Sequence, residues 1–176
     1  MNNEATREPP TEAVEVVRYR PELREAFERL NRQWIEQYFE VEEPDRAVFR
    51  DPEGEIRRRG GEIFFVLVAG EALGTCAMVP HGRDAFELAK MGVAPAARGR
   101  GYGDLLIDAA IAFARRQGVA RVELLTNSAL TPALRLYEKH GFRRVPVAAR
   151  EGGYARADVK MVLELREQSS GPAAAP

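Results

Sequence analysis

Apolar positions in this chain switch repeatedly between alternate and helical spacing, and the switches mark out its elements. Residues 13–19 are valine-rich and predict a strand. Pro21 is placed to open a helix at its first turn, where a missing N–H does no harm. Leu23, Phe27, Leu30, Trp34, Ile35 and Tyr38 then recur at helical spacing. Residues 42–50 predict a loop with a short helix, and Asp51-Pro52-Glu53-Gly54 a turn. After the break at Gly60-Gly61, residues 63–69 form a buried-type strand, which Ala69-Gly70-Glu71 folds back onto a strand over 72–79. His81-Gly82-Arg83-Asp84 turns the chain into a strand over 86–93 that Ala94-Pro95 ends. A helix over 101–117 carries Leu105, Leu106, Ala109, Ala110 and Phe113 and stops at Gly118. A strand over 119–126, a helix from Thr131-Pro132 to Gly141, a strand over 142–147 and a strand over 154–165 complete the chain, the last following a flexible Gly152-Gly153. This order predicts an α/β fold, with an antiparallel first part followed by βαβ crossovers.

At 176 residues the chain suggests one domain, placed at 13–167, between disordered tails at 1–12 and 168–176. Its net charge of -1 carries no signal for nucleic acid or membrane, although Arg98, Arg100, Arg115 and Arg116 crowd one region. No apolar run approaches the roughly 20 residues needed to span a bilayer, and Met1 to Thr11 reads as no secretory signal. The single cysteine, Cys76, excludes an intrachain disulfide framework and fits a cytoplasmic location. It reads as a small buried hydrophobe rather than a nucleophile. His81 and His140 read as surface or capping residues, and no Cys/His spacing suggests a metal.

The stretch with most chemistry is Arg98-Gly99-Arg100-Gly101-Tyr102-Gly103, between a strand and a long helix. Backbone N–H groups gather at such a turn, the helix dipole adds positive charge, and the arginines add more: a phosphate receptacle. A Walker A loop requires Lys followed by Ser or Thr after its last glycine, and Asp104 follows here. A dinucleotide fingerprint requires Gly-x-Gly-x-x-Gly, and the spacing here is Gly99, Gly101, Gly103. Arg98, Gly101 and Gly103 instead satisfy Arg/Gln-x-x-Gly-x-Gly/Ala. A second signature follows: Asn127, then Ala133-Leu134-Arg135-Leu136-Tyr137-Glu138-Lys139-His140-Gly141-Phe142. Together with Glu87 to Pro95, these motifs resemble the GCN5-related N-acetyltransferase family over roughly residues 13–165.

The resemblance implies a mixed, mostly antiparallel sheet of about seven strands with flanking helices and a splayed central strand pair. It implies acetyl-coenzyme A (acetyl-CoA) as cosubstrate, with its pyrophosphate on Arg98, Gly99, Arg100, Gly101, Tyr102 and Gly103. The pantetheine arm would lie between the strands ending at Val93 and Thr126, pairing with the backbone of Met91 and Val93. An N–H near Met91 or Gly92 would polarise the thioester carbonyl. Asn127 would bond the pantetheine or a helix N-terminus. Tyr137 would protonate the departing thiolate, or simply pack in the core. Glu87 would accept a proton from the amine, its alternative being a salt bridge, with Glu62 a weaker candidate. Lys90 stands out inside an apolar strand and is expected to be paired. For the acceptor, Trp34 and Tyr38 on the first helix and Tyr154 and Arg156 on the last strand suggest an aromatic wall with one guanidinium, suited to a small amine carrying a carboxylate. The expected activity is N-acetyl transfer by direct attack in a ternary complex, without metal. The alternatives are a protein N-terminal or lysine acetyltransferase and a non-catalytic acyl-CoA sensor. Homodimers are common in the family it resembles.

Overall fold

The computed structural model describes residues 13–148 and 153–165. The tails expected at 1–12 and 168–176, and Gly152, lie outside them. The strands are β1 (Val14–Arg18), β2 (Glu62–Val68), β3 (Glu71–His81), β4 (Ala85–Val93), β5 (Arg121–Thr126), β6 (Arg143–Val145) and β7 (Val159–Glu164). The helices are α1 (Arg24–Tyr38), α2 (Glu43–Arg50), α3 (Pro52–Glu55), α4 (Tyr102–Gln117) and α5 (Thr131–Lys139). The strands form one sheet in the order β1-β2-β3-β4-β5-β7-β6. Only β4 and β5 run parallel; the other pairs are antiparallel. This is the mixed, mostly antiparallel seven-stranded sheet that the sequence motifs imply.

The core follows from the strand period. Every residue of β2 is buried. Its neighbours Phe64 and Phe65 point to opposite faces. Phe64 meets Phe113 of α4 edge-on at 5.9 Å, and Phe65 meets Phe27 of α1 at 6.4 Å. The sheet is therefore covered on both faces, and burying each phenylalanine stabilises the fold by about 1.5–3 kcal/mol.

Three elements differ from the sequence reading. The turn expected at 51–54 winds into α3, because the Asp51 side chain accepts the Gly54 N–H at 2.8 Å and caps it. The strand expected over 142–147 is confined to β6. The last strand begins at Val159, not at 154. Ahead of it, side chains take the backbone groups that a ladder would use. Glu42 accepts the Ala155 N–H at 2.9 Å, and Asn127 donates to the Arg156 carbonyl at 2.6 Å. Asp158 accepts from the Ser128 N–H and hydroxyl at 2.7 and 2.6 Å. Residues 154–158 are thus a loop pinned at both ends.

Candidate active site

β4 and β5 pair only over Ala85–Arg121, Phe86–Val122 and Glu87–Glu123. Beyond Glu87 they diverge, while β4 stays bound to β3 as far as Val93. One edge of β4 is left without a strand partner among the described residues, and a cavity of about 430 Å³ opens beside it. Trp34, Tyr38, Glu87, Met91, Gly92, Val93, Arg98, Gly99, Gly101, Tyr102, Gly103, Asn127, Tyr137, Tyr154 and Arg156 all line it. The expected site residues thus meet in one place, except Arg100, which is exposed outside the lining. Glu62 is also elsewhere, buried and paired with Arg57 at 3.1 Å.

At one end of the cavity, Gly99 and Gly101 take φ of +76° and +79°. Side chains resist this region, so the backbone turn itself requires glycine. Gly101 precedes α4 and provides no side-chain cap, so the leading N–H groups of the helix stay available. Asp104 also lines this end. It accepts from Lys139 at 2.6 Å and contacts His140 at 2.8 Å, and these bonds hold its carboxyl below the usual carboxylate range. His140 is thus the capping residue at the end of α5, and its ring bridges to α4. Gly103 serves packing: a Cβ there would stand 2.7 Å from Leu136 of α5.

Tyr137, on α5, is buried and edge-on to Phe142 at 5.9 Å. Burial pushes its phenol up, and the nearby Cys76 thiol adds to this, so the hydroxyl stays protonated through the neutral range. Cys76 is itself fully buried, its thiol pushed up by burial, as a packing residue should be. Glu87 is half-buried on β4, beside Glu123 in register. Glu123 carries its own partners, Arg121 at 2.6 Å and Lys160 at 3.0 Å, which outweigh burial and keep it below the ordinary glutamate value.

At the other end lies a cluster that the sequence reading only grazed. Asp45 of α2 is fully buried, and its carboxylate accepts four hydrogen bonds. One oxygen takes Lys90 Nζ at 2.6 Å and Arg156 Nη2 at 2.9 Å; the other takes Arg156 Nη1 at 2.8 Å and the Glu42 N–H at 3.0 Å. That fills the roughly four acceptor positions of a carboxylate. Burial alone would raise its pKa, but the Arg156 bonds and the Lys90 charge lower it on balance. Stability from this depressed carboxyl is complete above the ordinary aspartate value and disappears as pH falls through the depressed one. The stability gap between wild type and Asp45→Asn in urea melts is therefore expected to be widest at neutral pH and to close well below about pH 4.

Lys90 Nζ also donates to the Tyr154 hydroxyl at 2.6 Å, and Arg156 stacks on Tyr154 and Trp34 at 4.6 and 5.8 Å. The end-on edge of the Arg156 fork is thus held by Asp45, with Glu42 at 3.1 Å, rather than left for a ligand carboxylate. Asn127 is likewise engaged, donating to the Arg156 carbonyl and accepting the Ala129 N–H at 2.8 Å. Glu42 and Asp45 form a capping box. Glutamate is an uncommon first member of one, so the sequence pattern did not mark the pair. Gly92 faces α1, where a Cβ would stand 2.7 Å from Trp34.

The comparisons with known proteins bear on the family and the fold. The model of the acetyltransferase (GNAT) family matches residues 23–142. The uncharacterized N-acetyltransferase YjgM of Escherichia coli is 34% identical over 109 residues, 60% of this chain and 65% of that protein, so the match spans a little under two thirds of the relative. A GNAT-family acetyltransferase from Staphylococcus aureus shares the fold with a TM-score of 0.80, at 17% identity over 88% of this chain and all of the other. YncA from Salmonella typhimurium, solved with its cofactor acetyl-CoA, superimposes with a TM-score of 0.69 at 18% identity, over 93% of this chain and 99% of that one. With the family model covering both the glycine loop and the Tyr137 helix, the chain belongs to the GNAT acetyltransferase family.

Proposed function

We propose that this protein transfers the acetyl group of acetyl-CoA to a primary amine of a small molecule by direct attack in a ternary complex. The observation that carries the reading is the edge of β4 beyond Glu87, left without a strand partner among the described residues, in a cavity that the glycine loop, Tyr137 and Glu87 all line. The pyrophosphate sits on the N–H groups of the Arg98–Gly103 turn, with Arg98 and Arg100 supplying charge. The pantetheine amides pair with Met91 and Val93 as an added strand.

The acceptor arrives as an ammonium, and Glu87 takes one proton, directly or through water, to expose the lone pair. The amine nitrogen bonds to the thioester carbon. The carbonyl electrons move onto oxygen, where the Met91 or Gly92 N–H holds the charge. The intermediate collapses, the carbon–sulfur bond breaks, and Tyr137 protonates the departing thiolate. The second proton lost by nitrogen restores the phenol. Tyr137 is pushed up by burial, so it meets the thiolate still protonated. Trp34, Tyr38, Tyr154 and Arg156 wall the acceptor. The ordinary composition and single cysteine support a cytoplasmic setting.

The test is release of coenzyme A thiol from acetyl-CoA across a panel of amines that includes peptides. Release only in the presence of a small amine is the expected result. Preference for a peptide N-terminus or lysine would make the acceptor a protein. Acetyl-CoA binding without release for any amine would leave a sensor and sink the enzyme.

A further inference from the structure

Lys90 is in a conformation that lysine does not choose. Its φ is +51°, inside a strand. The register explains where: Thr75 faces Gly92 and Ala77 faces Ala89, so Cys76 alone opposes Lys90 and Met91. This is a β-bulge, a device that re-aims backbone groups. The two bulged residues, Lys90 and Met91, both line the cavity. A side chain held at positive φ needs surroundings that over-determine it. Here the surroundings are Asp45, at 2.6 Å from Lys90 Nζ, and the Tyr154 hydroxyl at the same distance. Asp45 is in turn locked by Arg156 and by the Glu42 N–H.

We infer that Asp45 is a positioning residue for the transfer: through Lys90 it holds the β4 bulge so that the Met91 and Gly92 N–H groups point at the thioester carbonyl. The inference rests on the proposed polarising role of those N–H groups. Asp45 is not among the residues that line the cavity. It lies on α2, and the same carboxylate that pins the bulge also pins the Arg156 loop. One buried charge therefore sets the spacing between the acetyl group and the acceptor wall.

The test needs no acceptor. Acetyl-CoA labelled with carbon-13 at the thioester carbonyl is bound to the full chain, and the carbonyl stretch is read by infrared difference spectroscopy. In the wild type it is expected to move to lower frequency on binding. Asp45→Asn and Lys90→Ala should each lose about half of that shift or more, while the Kd of free coenzyme A, which has no acetyl carbonyl, stays within about twofold. Lys90→Gly is the discriminating variant. Glycine adopts a positive φ unaided, so it should retain most of the shift that alanine loses. Adding Asp45→Asn to Lys90→Gly should then change little. Full shifts in Asp45→Asn and Lys90→Ala would overturn the inference alone, as would equal losses in Lys90→Gly and Lys90→Ala. No downshift in the wild type would overturn the polarising role and the inference with it. If Asp45→Asn does not fold, the glycine and alanine variants at Lys90 decide.

Discussion

Tyr137→Phe is expected to lower kcat about 100-fold near neutral pH, at the low end of what a positioned general acid contributes. The Kd for coenzyme A should stay within about twofold, because the ring remains in place. Phenylalanine fits the same buried position and keeps the edge-on contact with Phe142. Among the described residues the hydroxyl has no hydrogen-bond partner in the protein, so its removal orphans none. The melting temperature should therefore move little. Steady-state kinetics, thermal melts and coenzyme A titration check the three statements. The pH profile adds a sign. Burial keeps the phenol protonated, so wild type holds its acid through the neutral range. As pH rises above about 8.5, where a thiolate is stable in water, the leaving group needs the proton less and the deficit of the variant should narrow. A residue that only packs in the core would show an unchanged kcat and no pH-dependent gap.

Different parts of this molecule were legible in the sequence to different degrees. Local patterns gave the order of elements because β2 is an unbroken apolar run and α1 and α4 carry clean helical stripes. The glycine loop was legible because backbone conformations with positive φ leave glycines behind them. The Asp45 cluster was not. Asp45 is 45 residues from Lys90 and 111 from Arg156 along the chain, and the three meet only because the fold brings α2 beside β4 and the 154–158 loop. Lys90 was one visible trace, a charge inside an apolar strand that had to be paired with something, while Tyr154 and Arg156 were read as a wall for a ligand rather than as partners of Asp45. The loop over 154–158 misled for a related reason. Alternating Tyr154, Arg156 and Asp158 look like one face of a strand, yet Glu42 and Asn127, from distant segments, take the backbone groups that would build it. What sequence period reports is local, and what holds this end of the cavity is a set of short ion pairs between residues distant in the chain.

Gly99→Ala combined with Gly101→Ala is expected to weaken acetyl-CoA binding about 30-fold while leaving kcat at saturation nearly unchanged. Both residues have positive φ, and a Cβ at either would meet nothing within 4 Å. The penalty is therefore conformational, not steric, about 1 kcal/mol at each position. In the free variant the loop relaxes to negative φ, and the N–H groups turn away from the phosphate site. The ligand must restore them, so about 2 kcal/mol is lost from binding, which is about 30-fold. The chemistry is remote from this loop, so bound acetyl-CoA should react as before, and the change should appear in KM and in Kd by calorimetry. Gly82 supplies the control. It too has positive φ, +63°, with nothing within 4 Å of a Cβ, but it lies in the β3–β4 turn outside the cavity lining. Gly82→Ala should lower stability by a similar amount per residue and leave acetyl-CoA affinity unchanged. Equal affinity losses in both variants would mean that binding follows global stability, and the loop would lose its assignment as the phosphate site. Affinity lost only in the Gly99 and Gly101 variant ties binding to the local backbone conformation that the glycines permit.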